Sequence, residues 1–454
     1  MSLSDDLKQI LRPEQVSINQ TVLEHHSRDE GYYTPKQPDA VVFPENTEDV
    51  VKVMKYAYAH RVPVIPFAVG SSLEGHVIPV NGGISLDLMR MNRILEVRPD
   101  DFLVRVQPGV RKDQLNAELA RYGLFFSVDP GADASIGGMV ATNASGTTTV
   151  RYGVMRDQVR SLQVVLADGE VVHTGSLAAK SSAGLNLTGL FVGSEGILGV
   201  FTEVWLRVYG LPEAVIAARA VFPTVDHCVQ ASTAVMAAGV SVTRMELVDD
   251  VTIAAVNRYK ATDYPEVPTL FLEFQGNARS VENDVVFVQE MMADEGCQSF
   301  AVEQTEEARR RLWEARHVAA LAVRASMPGK EQMVTDVCVP LSKLPDAVRD
   351  ARKVMNELGV PGALVGHVGD GNFHAILLVD PSNPEDLKKA GAVNERIVDR
   401  ALQLGGTCTG EHGVGVGKRK YLAREHGASL RLMKAIKAAV DPLNIMNPGK
   451  HVGD

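Results

Sequence analysis

The sequence has no apolar run long enough to cross a membrane, few cysteines and no excess of basic residues. No stretch of about 18 apolar residues without charges occurs, so a transmembrane helix is not expected. The 46 Lys and Arg residues are outnumbered by 56 Asp and Glu residues, which gives a formal net charge of -10. Because this charge repels phosphate backbones, and no basic run with interleaved aromatics occurs, nucleic acid is not an expected partner.

Cysteines are also scarce. The four that are present, Cys228, Cys297, Cys338 and Cys408, lie far apart and form no CxxC pair. This spacing fits reduced thiols in a reducing compartment. The acidic start of the chain lacks the basic and apolar regions of a signal peptide. We therefore expect a cytoplasmic location, with a peripheral position at a membrane as a variant.

The rest of the composition is that of an ordinary globular protein. The 454 residues, of which 45% are apolar and 22% charged, allow two or three domains with ample core. Strands and turns dominate residues 80–210, and longer helices alternate with strands after that point. We expect domains at residues 1–210, with a helical segment to about residue 35, and at residues 211–408, followed by a C-terminal segment at residues 409–454.

Two local patterns predict strand pairing in the first domain. Residues 39–70 read as strand, helix and strand, with Asn46 or Thr47 as the helix cap, which predicts a βαβ unit. Asp168-Gly169 lies between two β-type runs and is the strongest short hairpin signal in the chain.

Three glycine-rich segments lie at residues 70–75, 129–146 and 193–199. Small residues let backbone N–H groups approach phosphate closely, so together these loops could bind a long dinucleotide. Tight turns in a β-rich domain explain any one of them equally well. The segment Gly413-Val-Gly-Val-Gly417 fits neither the NAD fingerprint nor a P-loop, because Lys418-Arg419 follows it.

A pair of histidines predicts a metal site. His367 and His374 flank Gly369-Asp-Gly-Asn372 between two β-type runs, which predicts a hairpin with a four-residue loop. In that register the two histidines face each other, at about 4.5 to 5.5 Å between Cβ atoms, a separation suited to one shared ion. Glu411 could complete a His₂-carboxylate site. The alternatives are two hydrogen-bonded sheet histidines and a helix-start charge near Lys418.

Arg316 is a candidate for binding a carboxylate. It lies on a helix predicted over residues 304–326, within Trp313-Glu-Ala-Arg-His317. A guanidinium can grip a carboxylate through two parallel hydrogen bonds, and a surface ion pair is the alternative role.

Four segments carry a family resemblance. They are Pro66-Phe-Ala-Val-Gly-Ser-Ser-Leu-Glu-Gly75, Ile136-Gly-Gly-Met-Val-Ala-Thr-Asn-Ala144, Val192-Gly-Ser-Glu-Gly-Ile-Leu-Gly-Val200 and Asn447-Pro-Gly-Lys450. They resemble FAD-linked oxidases of the vanillyl-alcohol oxidase type, and within them the D-2-hydroxy-acid dehydrogenase branch. The resemblance implies an α+β fold: an FAD-binding domain in two subdomains plus an α+β cap domain with an antiparallel sheet. The C-terminal segment is implied to return to the flavin.

The resemblance also implies which residues form the site. FAD is expected to be held non-covalently, with His76 in a structural role. The residues implied to contact FAD are Pro66, Gly70, Ser71, Ser72, Leu73, Gly75, Asp129, Ile136, Gly137, Gly138, Thr142, Asn143, Gly146, Glu195, Gly196, Ile197 and Asn447. A divalent ion of zinc, manganese or iron is implied on His367, His374 and Glu411. His412 matches the catalytic base, and Arg316 matches the arginine that binds the substrate carboxylate.

The implied function is oxidation of a D-2-hydroxy acid, with D-lactate to pyruvate as the first expectation. The metal would bind the substrate hydroxyl, His412 would take its proton and flavin N5 would take the hydride. A glycolate oxidase FAD subunit and a D-2-hydroxyglutarate dehydrogenase are the alternatives within the family. The latter tends to carry a lysine at the position of Val334.

Two further classes of function are consistent with the sequence. A flavin-free metallohydrolase would leave the glycine-rich loops unexplained, and a non-catalytic subunit would need partner chains. The expected partners are the hydroxy acid, an electron acceptor such as a quinone, a cytochrome or an electron-transfer flavoprotein, and a second copy in a homodimer.

Overall fold

The structure is a computed structural model, and it describes residues 2–453. The strands are β1 (Val16–Ser17), β2 (Ala40–Val42), β3 (Val64–Phe67), β4 (Ile84–Asp87), β5 (Ile94–Arg98), β6 (Leu103–Val106), β7 (Leu124–Phe125), β8 (Val159–Val165), β9 (Val171–Gly175), β10 (Val200–Arg207), β11 (Tyr209–Gly210), β12 (Ala214–Val221), β13 (Val242–Val248), β14 (Thr269–Gly276), β15 (Ser299–Glu303), β16 (Glu331–Val334), β17 (Val337–Cys338), β18 (Gly362–His367) and β19 (Asn372–Val379).

The α-helices are α1 (Leu3–Ile10), α2 (Gln20–His25), α3 (Thr47–His60), α4 (Lys112–Leu119), α5 (Ile136–Thr142), α6 (Thr149–Tyr152), α7 (Met155–Gln158), α8 (Leu187–Phe191), α9 (Val225–Ala237), α10 (Asp250–Lys260), α11 (Ala278–Asp294), α12 (Glu306–His317), α13 (Ala319–Ala325), α14 (Leu344–Leu358), α15 (Pro384–Gln403), α16 (Arg419–His426) and α17 (Ser429–Val440). None of these helices between residues 2 and 453 is long and apolar enough to cross a membrane.

The chain forms two compact units. Unit 1 comprises the chain up to Ser145, Gly153–Leu211 and the chain from Glu411 onward, and unit 2 comprises Gly146–Tyr152 and Pro212–Gly410. The division into the three functional domains expected from the sequence stays a prediction.

The first sheet of unit 1 contains the predicted βαβ unit. Its strand order is β1-β2-β4-β3, and both β2 and β3 run parallel to β4. Helix α3 connects β2 to β3 and begins after Asn46, whose side chain accepts the N–H of Asp49 at 3.0 Å. The helix buries Val53 and Met54 in the core of this sheet. The predicted unit and its cap are therefore confirmed.

A second sheet of unit 1 has its own core. Its order is β5-β6-β10-β8-β9, and all its pairs are antiparallel. Strands β8 and β9 pair with Val165 opposite Val171, so the turn at Asp168-Gly169 forms the predicted hairpin. Most core residues of this sheet form a hydrophobic cluster distinct from that of the first sheet. This arrangement agrees with the expected two-subdomain FAD-binding fold.

The C-terminal part of unit 1 contributes to both cores. Ile445 and Met446 belong to the core of the first sheet, whereas Leu422 and Val452 belong to the core of the second. Met446 also forms an isolated parallel bridge with Val64 on β3. The end of the chain is thus built into unit 1 through apolar burial.

Unit 2 is organised around one antiparallel sheet. The strand order is β15-β12-β14-β13-β18-β19-β16, and β17 also pairs with β19. Helices α10, α12 and α13 pack on the face that carries Val365 and Ile376. The helix predicted over residues 304–326 is interrupted at Val318, where α12 ends and α13 follows.

The predicted hairpin of β18 and β19 exists, but its predicted register is wrong. Val365, rather than His367, lies opposite His374, and the loop is Val368–Gly371. Asn372 belongs to the strand because its side chain donates to Asp336 Oδ1 at 2.8 Å and to the carbonyl of Val337 at 2.9 Å. The four-residue loop therefore starts one residue earlier than the polar pattern suggested.

Candidate active-site residues in the two units

The loop that follows β3 in unit 1 suits a phosphate group. Gly70 and Gly75 adopt φ values of 75° and 76°, which favour glycine. The backbone N–H groups of Gly70, Ser71 and Ser72 donate to no group within residues 2–453. Asp29 holds the far end of the loop, since its Oδ2 accepts the N–H of Gly75 at 2.8 Å and the hydroxyl of Ser72 at 3.0 Å. The fixed loop with its backbone donors fits a diphosphate.

The second glycine-rich segment forms the start of α5. Ser135 caps the helix and accepts the N–H of Gly138 at 3.3 Å. A Cβ atom at Gly137 would lie only 2.6 Å from Cβ of Pro108. The glycine at this position is therefore required by packing against Pro108, a reason that the sequence did not reveal.

Two predicted FAD residues end α5. Thr142 donates its hydroxyl to the carbonyl of Gly138 at 3.2 Å. Asn143 caps the helix with φ 51°, and its side chain accepts the N–H of Arg156 at 2.9 Å. Both side chains thus make local contacts that hold the end of the helix.

The three glycine-rich segments meet inside unit 1. The N–H of Glu195 donates to the carbonyl of Ala141 at 2.8 Å, which joins the third segment to α5. A Cβ atom at Gly196 would lie 3.1 Å from Pro66 on β3, so the third segment also packs against the strand before the first. Segments far apart in the sequence therefore form one surface.

The remaining predicted FAD residues are spread around this surface. Ile136 and Ile197 are buried, and Asp129 accepts a hydrogen bond from Lys112 Nζ at 2.7 Å. Leu73 lies in the loop after β3, with its carbonyl against Gly31. Gly146 belongs instead to unit 2, where its N–H donates to Thr149 Oγ1 at 3.0 Å. Their contact with FAD stays a prediction.

Glu195 ties the third segment to the C-terminal part of the chain. Its side chain is 5% exposed and accepts the backbone N–H groups of Val414 at 2.6 Å and Gly415 at 2.8 Å. His76 Nε2 lies 3.4 Å from Glu195 Oε2. Burial opposes ionisation, but His76 and the backbone donors outweigh it and lower the pKa of Glu195 to about 2.

Asn447 lies in the same cluster of unit 1. Its Nδ2 donates to the carbonyls of His76 at 3.1 Å and Glu195 at 2.8 Å, and its Oδ1 accepts from Lys450 Nζ at 2.6 Å. Burial lowers the pKa of Lys450 to about 7. The side chain of Asn447 thus links the first and third segments, and its predicted position near the isoalloxazine ring stays a prediction.

The predicted base His412 and the predicted ligand Glu411 belong to unit 1. Ser145 donates its hydroxyl to Glu411 Oε2 at 2.7 Å. Gly413 follows directly, and a Cβ atom there would lie 2.7 Å from Glu195 Oε1. His412 is therefore adjacent in sequence to a residue packed against the predicted FAD surface.

His367 and His374 lie close together in unit 2. Their ring centroids are 5.6 Å apart, with the ring planes at 85°, and their ligand atoms lie within 4.8 Å of each other. His374 Nδ1 lies 3.0 Å from the carbonyl of Thr335, and His367 Nδ1 lies 2.6 Å from Glu246 Oε1. Because both partners are acceptors, Nδ1 carries the proton and Nε2 carries the lone pair in each neutral ring. This pattern fits metal-binding imidazoles.

Arg316 is joined to His367 by Glu246, a residue that local sequence patterns did not indicate. The Nη2 and Nε atoms of Arg316 lie 2.7 Å and 3.0 Å from Glu246 Oε2. Glu246 is buried, which opposes ionisation, but the hydrogen bond from His367 and the positive charge of Arg316 lower its pKa. A lone acid inside the apolar strand β13 is the signal that could have indicated it.

The structure therefore brings together part of the predicted site within each unit. Unit 2 holds His367, His374 and Arg316 on or beside one face of its sheet. Unit 1 holds Glu411 and His412 with the predicted FAD segments. The ligand set of His367, His374 and Glu411 draws on both units and stays a prediction.

Comparison with solved structures defines the class of fold. The chain superimposes on p-cresol methylhydroxylase with a TM-score of 0.83 at 20% identity, covering 99% of this chain and 96% of the other. The fold is that of vanillyl-alcohol-oxidase-type flavoproteins, with a cap that contains an antiparallel sheet, as predicted. Residues 38–175 match the FAD binding domain, which supports FAD as the cofactor.

Sequence comparison gives the family. Residues 211–451 match the C-terminal domain of FAD-linked oxidases. The probable mitochondrial D-lactate dehydrogenase of Danio rerio is 46% identical over 441 residues, which cover 96% of this chain and 89% of the relative. The mitochondrial D-lactate dehydrogenase (cytochrome) of Arabidopsis thaliana is 44% identical over 414 residues, which cover 91% of this chain and 73% of the relative. The chain belongs to the FAD-linked oxidase family, which confirms the resemblance.

The relatives correct one expectation. The predicted cytoplasmic location is wrong, because both relatives are named as mitochondrial. The four cysteines could not reveal this, since reduced thiols distinguish reducing from oxidising compartments and do not single out the cytoplasm. The names of the relatives give no support to the expected homodimer.

Proposed function

We propose that this protein is an FAD-dependent dehydrogenase of D-2-hydroxy acids that oxidises D-lactate to pyruvate. The observation that carries the proposal is the group formed in unit 2 by Arg316, Glu246 and His367 beside His374. A 2-hydroxy acid offers a carboxylate for an arginine and a hydroxyl oxygen for a metal held by imidazoles. The names of the two relatives, both D-lactate dehydrogenases, support this choice of substrate.

Unit 1 supplies the FAD side of the proposal. The backbone donors of Gly70, Ser71 and Ser72 would hold the diphosphate, and Asn447 would hold the segment next to the ring. FAD, when bound, accepts the hydride that leaves the substrate Cα. The protein contributes orientation and charge around the reacting atoms.

Unit 2 supplies the carboxylate and metal contacts. Arg316 would grip the substrate carboxylate with its planar guanidinium, which fixes the substrate in one orientation. His367, His374 and the predicted third ligand Glu411 would hold a zinc, manganese or iron ion. Such an ion, when bound, makes the substrate hydroxyl more acidic. His412 would accept the hydroxyl proton as general base, and it works best with a pKa near the operating pH.

The electron acceptor is proposed from the same comparison. The name of the Arabidopsis relative includes cytochrome, which supports a cytochrome as the acceptor that reoxidises the flavin. A quinone and an electron-transfer flavoprotein are the other acceptors proposed.

The proposed function is tested by a substrate panel with an artificial dye as acceptor. D-lactate, L-lactate, D-2-hydroxybutyrate and glycolate are compared on one preparation, before and after chelation. We expect the highest kcat/KM for a D-2-hydroxy acid and loss of turnover after chelation, with recovery when the ion is returned. Equal turnover of L-lactate, or no turnover of any hydroxy acid, would contradict the proposal.

The size of the substrate is proposed from the face of the unit 2 sheet that carries His374. Val334 lies opposite Ile376, and Ile376 lies two residues from His374, so all three side chains share a face. A second carboxylate placed there without a cation would cost several kcal/mol. D-2-hydroxyglutarate should therefore be a poor substrate, and a kcat/KM equal to that of D-lactate would show that another cation reaches the pocket.

A further inference from the structure

The position of Glu246 is set by the pairing of two strands. Strands β13 and β18 are antiparallel, with Glu246 directly opposite His367 and Val248 opposite Val365. Directly opposed side chains share one face of a sheet, with Cβ atoms about 4.5 to 5.5 Å apart. The approach of Glu246 to His367 is therefore fixed by the backbone register rather than by a loop.

The two oxygens of Glu246 have different partners. Oε1 lies 2.6 Å from His367 Nδ1, and Oε2 lies 2.7 Å from Arg316 Nη2 and 3.0 Å from Arg316 Nε. The carboxylate is 1% exposed, so water cannot replace either partner. The carboxylate of Glu246 thus orients His367 on β18 and Arg316 on α12.

We infer that Glu246 is a positioning residue that couples the metal ligand His367 to the substrate-binding residue Arg316. By accepting the Nδ1 proton it holds His367 in the tautomer that presents Nε2 to the metal. By accepting from Arg316 it turns the guanidinium so that its remaining donors point in one direction. This inference rests on the proposed function, because it assumes that both partners act on the substrate.

The same sheet face offers a matched control. Glu273 on β14 is also buried and pairs with an arginine, with Arg244 Nε 3.3 Å from Glu273 Oε1. Its ion-pair and hydrogen-bond partners are Arg244 and Gln275, which are not members of the pair His367 and Arg316. Glu273→Gln therefore removes a comparable buried charge without touching the coupled pair.

The test compares Glu246→Gln with Glu273→Gln in the full chain loaded with FAD. Metal is removed with a chelator, and Co²⁺ is titrated back while its visible absorption is recorded. We expect Glu246→Gln to bind Co²⁺ about 10 to 100 times more weakly than the wild type, the range found when partners of ligating histidines are removed. We also expect its KM for D-lactate to rise about tenfold or more, with a smaller change in kcat. Glu273→Gln should match the wild type in Co²⁺ affinity and KM.

The Co²⁺ titration separates this inference from the proposed function. Weaker Co²⁺ binding by Glu246→Gln in a protein that does not oxidise D-lactate would support the link to His367 and reject the proposed function. Glu246→Gln and Glu273→Gln with equal Co²⁺ affinity and equal KM would overturn the inference. Wild-type protein that binds no Co²⁺ would overturn it as well.

A second variant covers failure to fold, because Glu246→Gln leaves the half-buried Arg316 without its counter-charge. The double variant Glu246→Met with Arg316→Met removes both charges and retains apolar volume in their place. It should still bind Co²⁺ about tenfold more weakly or worse, since His367 lacks its acceptor. Wild-type Co²⁺ affinity in the double variant would overturn the role of Glu246.

Discussion

Unit 1 and unit 2 each contain a buried glutamate beside a histidine, but the two carboxylates bind different kinds of partner. Glu195 in unit 1 accepts the backbone N–H groups of Val414 and Gly415. Glu246 in unit 2 contacts the side chains of His367 and Arg316. A carboxylate bound by backbone fixes the path of the chain, whereas one bound by side chains fixes the orientation of groups that can react.

The electrostatics of the two carboxylates are otherwise alike. Burial opposes ionisation of both, and their partners nevertheless lower the pKa of each, to about 2 for Glu195. A lowered pKa therefore does not by itself distinguish a structural carboxylate from one that positions functional groups. The identity of the hydrogen-bond partners makes the distinction.

The largest expected effect comes from His412, which lies two residues before Val414 in unit 1. As the proposed general base, it should contribute about 10² to 10⁴ in rate. His412→Ala should lower kcat by that factor and leave FAD content, metal content and Tm unchanged. If His412→Ala lost as much metal as His374→Ala, His412 would be a metal ligand rather than the general base.

Removing the buried carboxylate of Glu195 in unit 1 should lower the stability of the protein. Glu195→Ala leaves two buried N–H groups without an acceptor and His76 without its counter-charge, so we expect a loss of about 3 to 5 kcal/mol. Thermal denaturation should show a lower Tm, together with weaker retention of FAD. Glu213, an exposed residue of unit 2, offers a control, and Glu213→Ala should leave both Tm and FAD retention unchanged.

The pH dependence of this contribution has a definite sign. Because the pKa of Glu195 is lowered in the folded protein, its stabilisation is complete above its ordinary pKa of about 4.5 and is lost as the pH falls toward 2. The difference in Tm between wild type and Glu195→Gln should therefore shrink below pH 4.5. At about 1.4 kcal/mol per pKa unit, the stabilisation by Glu195 that is lost between these pH values amounts to at most about 3 kcal/mol. A difference that stays constant down to pH 3 would contradict this assignment.

The smallest expected effect concerns Asn447. Its backbone adopts φ 41°, and its side chain donates two buried hydrogen bonds within unit 1. Asn447→Gly permits the same backbone conformation and removes only the side chain, so we expect a loss of about 1 to 3 kcal/mol. FAD retention should weaken in the same variant. Unchanged Tm and FAD content would show that the two hydrogen bonds do not hold the segments together.

Features that depend on neighbouring residues were predictable from the sequence. The hairpin at Asp168-Gly169 and the cap at Asn46 formed as expected, because turn and cap preferences act over a few residues. The family motifs gave the FAD fold for a different reason, namely their length and order along the chain.

The histidine pair was predictable in part. His367 and His374 are close together, although the register differs from the prediction by two positions. A shift of two residues keeps each side chain on the same face of a sheet, so the two imidazoles stay neighbours on the diagonal. The hydrogen bonds of Asn372 to Asp336 and Val337 join residues that are 36 and 35 positions apart, so they leave no local signal.

Glu246 could not be predicted from local patterns. It is 121 residues away from His367 and 70 from Arg316 in the sequence. Its role depends on β13 pairing with β18 and on α12 packing against that face, and both follow from the assembled sheet. Rules based on residue spacing apply within one helix or hairpin and cannot predict contacts between residues so far apart in the sequence.

The most direct test of the different roles of the two carboxylates measures FAD and metal content together in Glu195→Gln and Glu246→Gln, purified in parallel. We expect Glu195→Gln to lose FAD and to have a lower Tm, while its metal content stays that of the wild type. We expect Glu246→Gln to retain FAD and to lose metal. The same losses in both variants, or metal loss confined to Glu195→Gln, would contradict the account.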